Sequence, residues 1–192
     1  MILPIVAYGH PVLRKVAAPI VPGQIELTSF LEDMWETMYA SNGVGLAAPQ
    51  VNQSIRVFTV DTLQLFESME EEEKKKYPDA PGLKAVFINA TILSLTGAEW
   101  PYSEGCLSIP KIHENVNRPA TVQLKYMDEN FQQHEAVFTG ITARVILHEY
   151  DHIEGKLFID HLPSLKRKLL KGKLADISKG KIAVDYKMKF HQ

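Results

Sequence analysis

The chain has 192 residues, 45% hydrophobic and 23% charged, with 21 Lys and Arg against 23 Asp and Glu and a single cysteine. That length supports one domain with a sizeable core, and one cysteine excludes an intramolecular disulfide. No apolar run approaches the roughly 18 residues of a membrane helix, and the start, Met1 to Ala7, lacks a basic region and carries Pro4, unlike a secretory signal. A cytoplasmic location is expected, with neither membrane nor DNA as partner.

In chain order, Leu27, Phe30, Leu31, Met34, Trp35 and Met38 recur at helical spacing and predict an amphipathic helix, with Asn42-Gly43 as its stop. Ser54–Asp61 is β-branched and aromatic and predicts a strand. Glu70–Glu73 followed by Lys74–Lys76 suits a short solvated helical turn with Glu→Lys pairs four apart, in a surface insertion without chemistry. Lys84–Leu95 predicts one or two strands, Thr121–Met127 and His134–Thr139 one each. Thr142–Glu154 predicts a second helix closed by Gly155. Two helices among short strands, without β-α-β alternation, predict an α+β fold of mostly antiparallel sheet around that second helix.

Charge is unevenly spread. Residues 164–192 carry nine Lys/Arg against Asp176 and Asp185, net +7, leaving residues 1–163 with 12 basic and 21 acidic groups, net −9. Residues 1–163 read as the body of a single domain and 164–192 as a basic C-terminal extension of the same domain. The extension is expected to be partly helical, because Gly172, Gly180 and the Val184–Phe190 stretch argue against one continuous helix. A basic end of this kind suits a polyanionic partner, and equally a solvated surface helix.

The second helix contains His148-Glu149-Tyr150-Asp151-His152, an H-E-x-x-H pattern. A spacing of four places both imidazoles on one face, where they can converge on a cation, with Glu149 beside them as general base. A hydrolytic site needs a third protein ligand. Glu154 is too close on the same helix, and the third histidine of the longer H-E-x-x-H-x-x-G-x-x-H pattern would fall on Phe158. His161 is out of register with that pattern, which leaves Cys106 in Glu104-Gly105-Cys106-Leu107-Ser108. A lone cysteine is ordinarily a small buried hydrophobe, but the glycine-flanked polar setting weakens that reading.

Gly43-Val44-Gly45-Leu46-Ala47-Ala48-Pro49-Gln50 matches G-x-G-x-x-A formally. A dinucleotide site requires a strand before it and a helix after it, whereas here a helix precedes and Pro49 disfavours helical geometry at Ala48. Small residues instead let backbone approach a ligand, and the Gln50 amide can donate to a developing oxyanion.

Taken together, G-V-G-L-A-A-P-Q, E-G-C-L-S and H-E-Y-D-H, with the opening Gly9-His10-Pro11-Val12-Leu13-Arg14, resemble the peptide deformylase family. The resemblance implies a hydrolase that removes the N-formyl group from N-terminal formyl-methionine of newly made polypeptides, releasing formate. It implies one divalent ion on Cys106, His148 and His152, Fe²⁺ in the cell, with Zn²⁺, Ni²⁺ or Co²⁺ able to replace it. Glu149 would be the acid/base, and Gln50 with the Leu107 N–H the oxyanion donors. Gly45 would pair with the substrate backbone, and Val44, Leu107, Val145 and His148 would surround a methionine-sized pocket. It further implies ribosome docking through the basic C-terminal segment. Two positions depart from the family pattern, Leu147 where Gln is common and His113 where Arg is common. The rival readings are a non-catalytic metal- or peptide-binding module of the same fold and an H-E-x-x-H metallopeptidase.

Overall fold

The computed structural model describes residues 1–191. Its strands are β1 (Ile5–Val6), β2 (Gly45–Ala47), β3 (Val57–Asp61), β4 (Lys84–Cys106), β5 (Ile109–Met127), β6 (Gln133–Thr139) and β7 (Met188–Lys189). The helices are α1 (Leu27–Ala40), α2 (Leu63–Glu67), α3 (Glu71–Lys74), α4 (Gly140–Ile153) and α5 (Ser164–Ser178). Strands β2-β3-β4-β5-β6 form one antiparallel sheet, and β1 pairs with β7 in parallel. The fold is α+β, as expected.

The two predicted long helices form where apolar spacing placed them. Helix α1 ends with Asn42 in left-handed geometry (φ 55°), while the Gly43 N–H reaches back to the Met38 carbonyl at 2.9 Å and the Asn42 N–H to Tyr39 at 3.0 Å. Asn42, rather than Gly43, therefore supplies the positive φ that closes the helix. Gly155 (φ 69°) plays the corresponding part for α4, with the Lys156 N–H on the Asp151 carbonyl at 2.8 Å.

The largest departure is the β4–β5 hairpin. Strand β4 runs 23 residues and β5 19, whereas only Lys84–Leu95 and Thr121–Met127 carry a strand pattern. Among the described residues, β4 beyond Ile88 pairs with no strand but β5, and β5 before Thr121 with none but β4. Pro101, Pro110 and Pro119 sit in this two-stranded stretch, where a missing N–H costs no ladder bond on the open side. Register shifts at Thr96/Glu99 and Gly105/Cys106 bend it. The ribbon closes over α4, contributing buried Ile109, Ile112 and Val116 to a cluster with Leu157, Phe158 and Leu170.

Helix α4 is buried nearly all round: Ile141, Ala143, Val145, Ile146, Leu147 and Ile153 pack in the core, and Thr142, Arg144, Glu149, Asp151 and His152 are buried as well. Leu147 extends this core. A helix buried on every side must find partners inside the protein for its polar residues. The C-terminal segment is more ordered than its glycines imply. Helix α5 continues through Gly172, buries Leu170, Leu174 and Ile177, and stops near Gly180 (φ 73°). The acidic-basic insertion pairs Lys74 with Glu71 and Lys75 with Glu72, three apart rather than four. It is also not detached from α4, because Asp79 Oδ2 accepts the Thr142 N–H at 2.7 Å. Among the described residues no helix is long and apolar enough to cross a membrane.

Candidate active site

Two elements, α4 and the end of β4, bring the three predicted ligands together. His148 and His152 lie one turn apart on α4 with ring centroids 5.2 Å apart. Cys106 ends β4, at the turn into β5. The ligand atoms of all three lie within 4.8 Å of one another, with Cys106 Sγ 3.3 Å from His152 Nε2. Burial opposes ionisation of the thiol, but the charge of His152 and hydrogen bonds from both histidines hold its pKa down at about 5. A thiolate with two imidazoles is the donor set of a hydrolytic metal centre, and leaves a divalent ion with net positive charge.

His148 is oriented from behind. Its Nδ1 meets Glu104 Oε2 at 2.9 Å, which turns Nε2 toward the cluster, the arrangement that fixes tautomer and basicity in metal-binding histidines. Glu104 is itself held by Arg118, whose Nε and Nη2 donate at 2.7 and 3.0 Å, and by Arg144 at 3.1 Å. Arg118 also donates to Asp151 Oδ2 at 2.7 Å, and His161 Nε2 meets the same oxygen at 2.7 Å. Burial pushes the Glu104 carboxyl up, yet His148 and Arg118 hold it well below the usual carboxylate range. His161, rejected as a ligand by spacing, thus belongs to the network behind the ligands.

Glu149 is buried, its Oε2 has no protein partner, and desolvation raises its pKa to about 7. An ideal Cβ on Gly45 would lie 2.5 Å from Glu149 Oε1, so only glycine leaves this carboxylate its place. An unpartnered carboxylate beside a Cys/His₂ set is where a metal-activated water would be expected, and the residues present fit a divalent ion.

Gln50 sits in the turn Ala48–Val51, which has Pro49 at its second position. Its Oε1 accepts the Ala47 N–H at 2.9 Å. The amide is thereby oriented, with Nε2 3.5 Å from Cys106 Sγ and 3.4 Å from Ser108 Oγ. Val44, Gly45, Gln50, Leu107, Val145 and Glu149 all line one cavity of about 480 Å³. His113 lines it too; its ring lies 2.6 Å from where a Cβ on Gly105 would stand. Every predicted site residue therefore meets at one place.

Sequence reading missed the network behind the ligands. Glu104 begins E-G-C-L-S and Asp151 lies within H-E-Y-D-H, so both carried a signal by position. Arg118 and the cavity-lining Tyr186 had none, because long-range pairing alone brings them here, whereas Arg144 sits on α4 one turn before His148 and could have been read from helical spacing.

A family model described as Polypeptide deformylase matches residues 2–168. The chain is 52% identical over 192 residues to a peptide deformylase of Christiangramia forsetii, covering 99% of this chain and 96% of that one. It is 50% identical over 190 residues to a peptide deformylase of Cytophaga hutchinsonii, covering 99% and 98%. Among solved structures, the peptide deformylase of Legionella pneumophila superposes with a TM-score of 0.78 at 32% identity, over 94% of this chain and 98% of that one. The Plasmodium falciparum peptide deformylase in complex with an inhibitor gives 0.75 at 31%, over 91% and 99%. The chain belongs to the peptide deformylase family.

Proposed function

We propose that this chain removes the N-formyl group from the N-terminal formyl-methionine of newly synthesised polypeptides, releasing formate, through the residues gathered in this cavity. The observation that carries the reading is the unpartnered Glu149 carboxylate beside Cys106, His148 and His152. Metal binding alone requires no such group, which disfavours a non-catalytic module. A thiolate ligand in place of a downstream carboxylate disfavours an H-E-x-x-H metallopeptidase.

Cys106, His148 and His152 would hold one divalent ion, Fe²⁺ in the cell. When bound, it supplies Lewis acidity that activates water and polarises the formyl carbonyl. Glu149 takes the water's proton and returns it to the leaving amine, the work suited to a carboxyl titrating near 7. Gln50 Nε2 and the Leu107 N–H donate to the tetrahedral oxyanion, each such donor being worth about 10²–10³ in kcat.

The substrate backbone would add to the open edge of β2. The Asp61 N–H donates to the Val44 carbonyl at 2.9 Å and Gly45 stands opposite Val60. That register makes Gly45/Val60 a non-hydrogen-bonded pair, so Gly45's own N–H and carbonyl point away from β3. The methionine side chain would enter among Val44, Leu107, Val145 and His148.

Residues 1–163 would form the catalytic unit and 164–192 a basic extension of it, in a cytoplasmic protein. The extension would dock on the ribosome through exposed lysines of α5 beside the outward Leu165 and Leu169. Reversing Lys168 and Lys171 should weaken ribosome cosedimentation, and indifference to that change would remove the docking role.

The test of the main reading is formate release from formyl-Met-Ala by iron- or nickel-loaded protein. Glu149→Ala should lower kcat by about 10²–10⁴ with metal still bound. A fully metallated parent that releases no formate would refute it.

A further inference from the structure

The segment after α5 reaches the active site, and no motif foretells it. Val184, Asp185 and Tyr186 line the cavity. The segment is anchored beyond it by the Ile5 and Ala7 N–H groups, which donate to the Lys187 and Lys189 carbonyls at 2.9 Å each. Between cavity and anchor, the Tyr186 hydroxyl donates to the Leu107 carbonyl at 2.7 Å. Burial, with Cys106 and Asp185 nearby, raises the phenol well above its ordinary pKa, so it stays a donor throughout the working pH range.

Leu107 needs this support. Cys106 pairs with Ile109, so Leu107 and Ser108 form a two-residue hairpin connection. Such connections ordinarily adopt primed turns, which demand positive φ at one or both central residues. Neither Leu107 nor Ser108 has positive φ. Bonds from elsewhere in the fold must hold the loop. The Tyr8 N–H donates to the Ser108 carbonyl at 2.8 Å, and Gln50 Nε2 donates to Ser108 Oγ at 3.4 Å. Tyr186 is the residue that secures Leu107 itself.

We propose that Tyr186 is a positioning residue for the deformylase reaction: by holding the Leu107 carbonyl, the C-terminal strap aims the Leu107 N–H at the tetrahedral oxyanion. This rests on the reading of Leu107 as an oxyanion donor. It makes the residues beyond α5 part of the site rather than an appendage.

Tyr186→Phe removes one oxygen and fills the same space. With formyl-Met-Ala, kcat should fall about 3–10-fold, the worth of one hydrogen bond, while KM and bound metal stay at parental values and Tm drops by no more than the about 2–4 °C that one lost hydrogen bond costs a chain this size. Amide hydrogen exchange across Leu107–Ile109 should quicken while that of α4 does not. A kcat within twofold of the parent, a loss confined to KM, a loss tracking metal content, or unchanged loop exchange overturns the proposal. An inactive, metal-loaded parent would instead sink the deformylase reading, so the two failures are distinguishable.

Discussion

Gly45→Ala separates catalysis from stability in this fold. Gly45 lies in β2 outside the left-handed region, so alanine meets no backbone strain there. Its Cβ would stand 2.5 Å from Glu149 Oε1 and 2.8 Å from both Cδ and Cγ, where ordinary contact begins at 3.4 Å. The overlap is about 0.9 Å. Strand β2 is hydrogen-bonded to β3, whereas the carboxylate is the free end of a side chain, so Glu149 yields. Displacing a catalytic group by about 1 Å costs on the order of 10²-fold in rate. The expected result is a kcat about 10²-fold lower in a formate-dehydrogenase-coupled assay, with Tm and metal content close to parental. KM should change little, because alanine keeps the N–H and carbonyl that would pair with substrate. A folded, metallated Gly45→Ala enzyme with kcat within threefold of the parent would refute the placement of Glu149 against β2.

Glu104→Ala leaves the buried Arg118 and Arg144 without their shared carboxylate and frees His148 Nδ1. It should cost about 3–5 kcal/mol in urea unfolding and weaken metal retention about 10–100-fold in chelator competition; a stability loss under about 1 kcal/mol would contradict the network. Against burial, His148 and Arg118 hold Glu104 below its ordinary 4.5, and His161 and Arg118 hold Asp151 below its ordinary 3.8. The native state therefore binds fewer protons than the unfolded one, so stability is full above those ordinary values and is lost as pH falls through the depressed ones. Asp151→Asn should flatten this acid limb of the unfolding profile, and an unchanged slope would count against the coupling. Thr139 gives α4 no side-chain cap while Asp79 bonds the Thr142 N–H, so Asp79→Ala should cost about 1 kcal/mol, or about 2–4 °C in Tm for a chain this size; an unmoved Tm would return the insertion to a merely solvated role.

The legible parts of the site share one property: their chemistry is written within a few residues. His148, Glu149 and His152 need only a helix to converge. Gln50 needs only its local turn, since its amide is oriented by Ala47 three residues earlier. Cys106 was reached by eliminating other ligands, and the fold places it 46 residues from His152 in sequence and 3.3 Å away in space. The distal halves of β4 and β5 were invisible because Gly97, Pro101, Gly105 and Pro110 break every strand signal. That ribbon exists through its cross-strand partners and its packing over α4, which no local pattern records.

Sequence alone determined the fold class and the family, and pointed to Cys106, His148, His152 and Glu149 as one cluster, because helical periodicity and short motifs carry those locally. Tertiary structure decided that Gly45 is glycine to admit Glu149, that Glu104 is clasped by Arg118 and Arg144, and that Tyr186 reaches Leu107. Each of these is a contact between residues distant in the chain: burying α4 sends its Arg144 and His148 to Glu104 on β4 and sets Glu149 against Gly45, while the packing of the C-terminal segment brings Tyr186 to the β4–β5 turn.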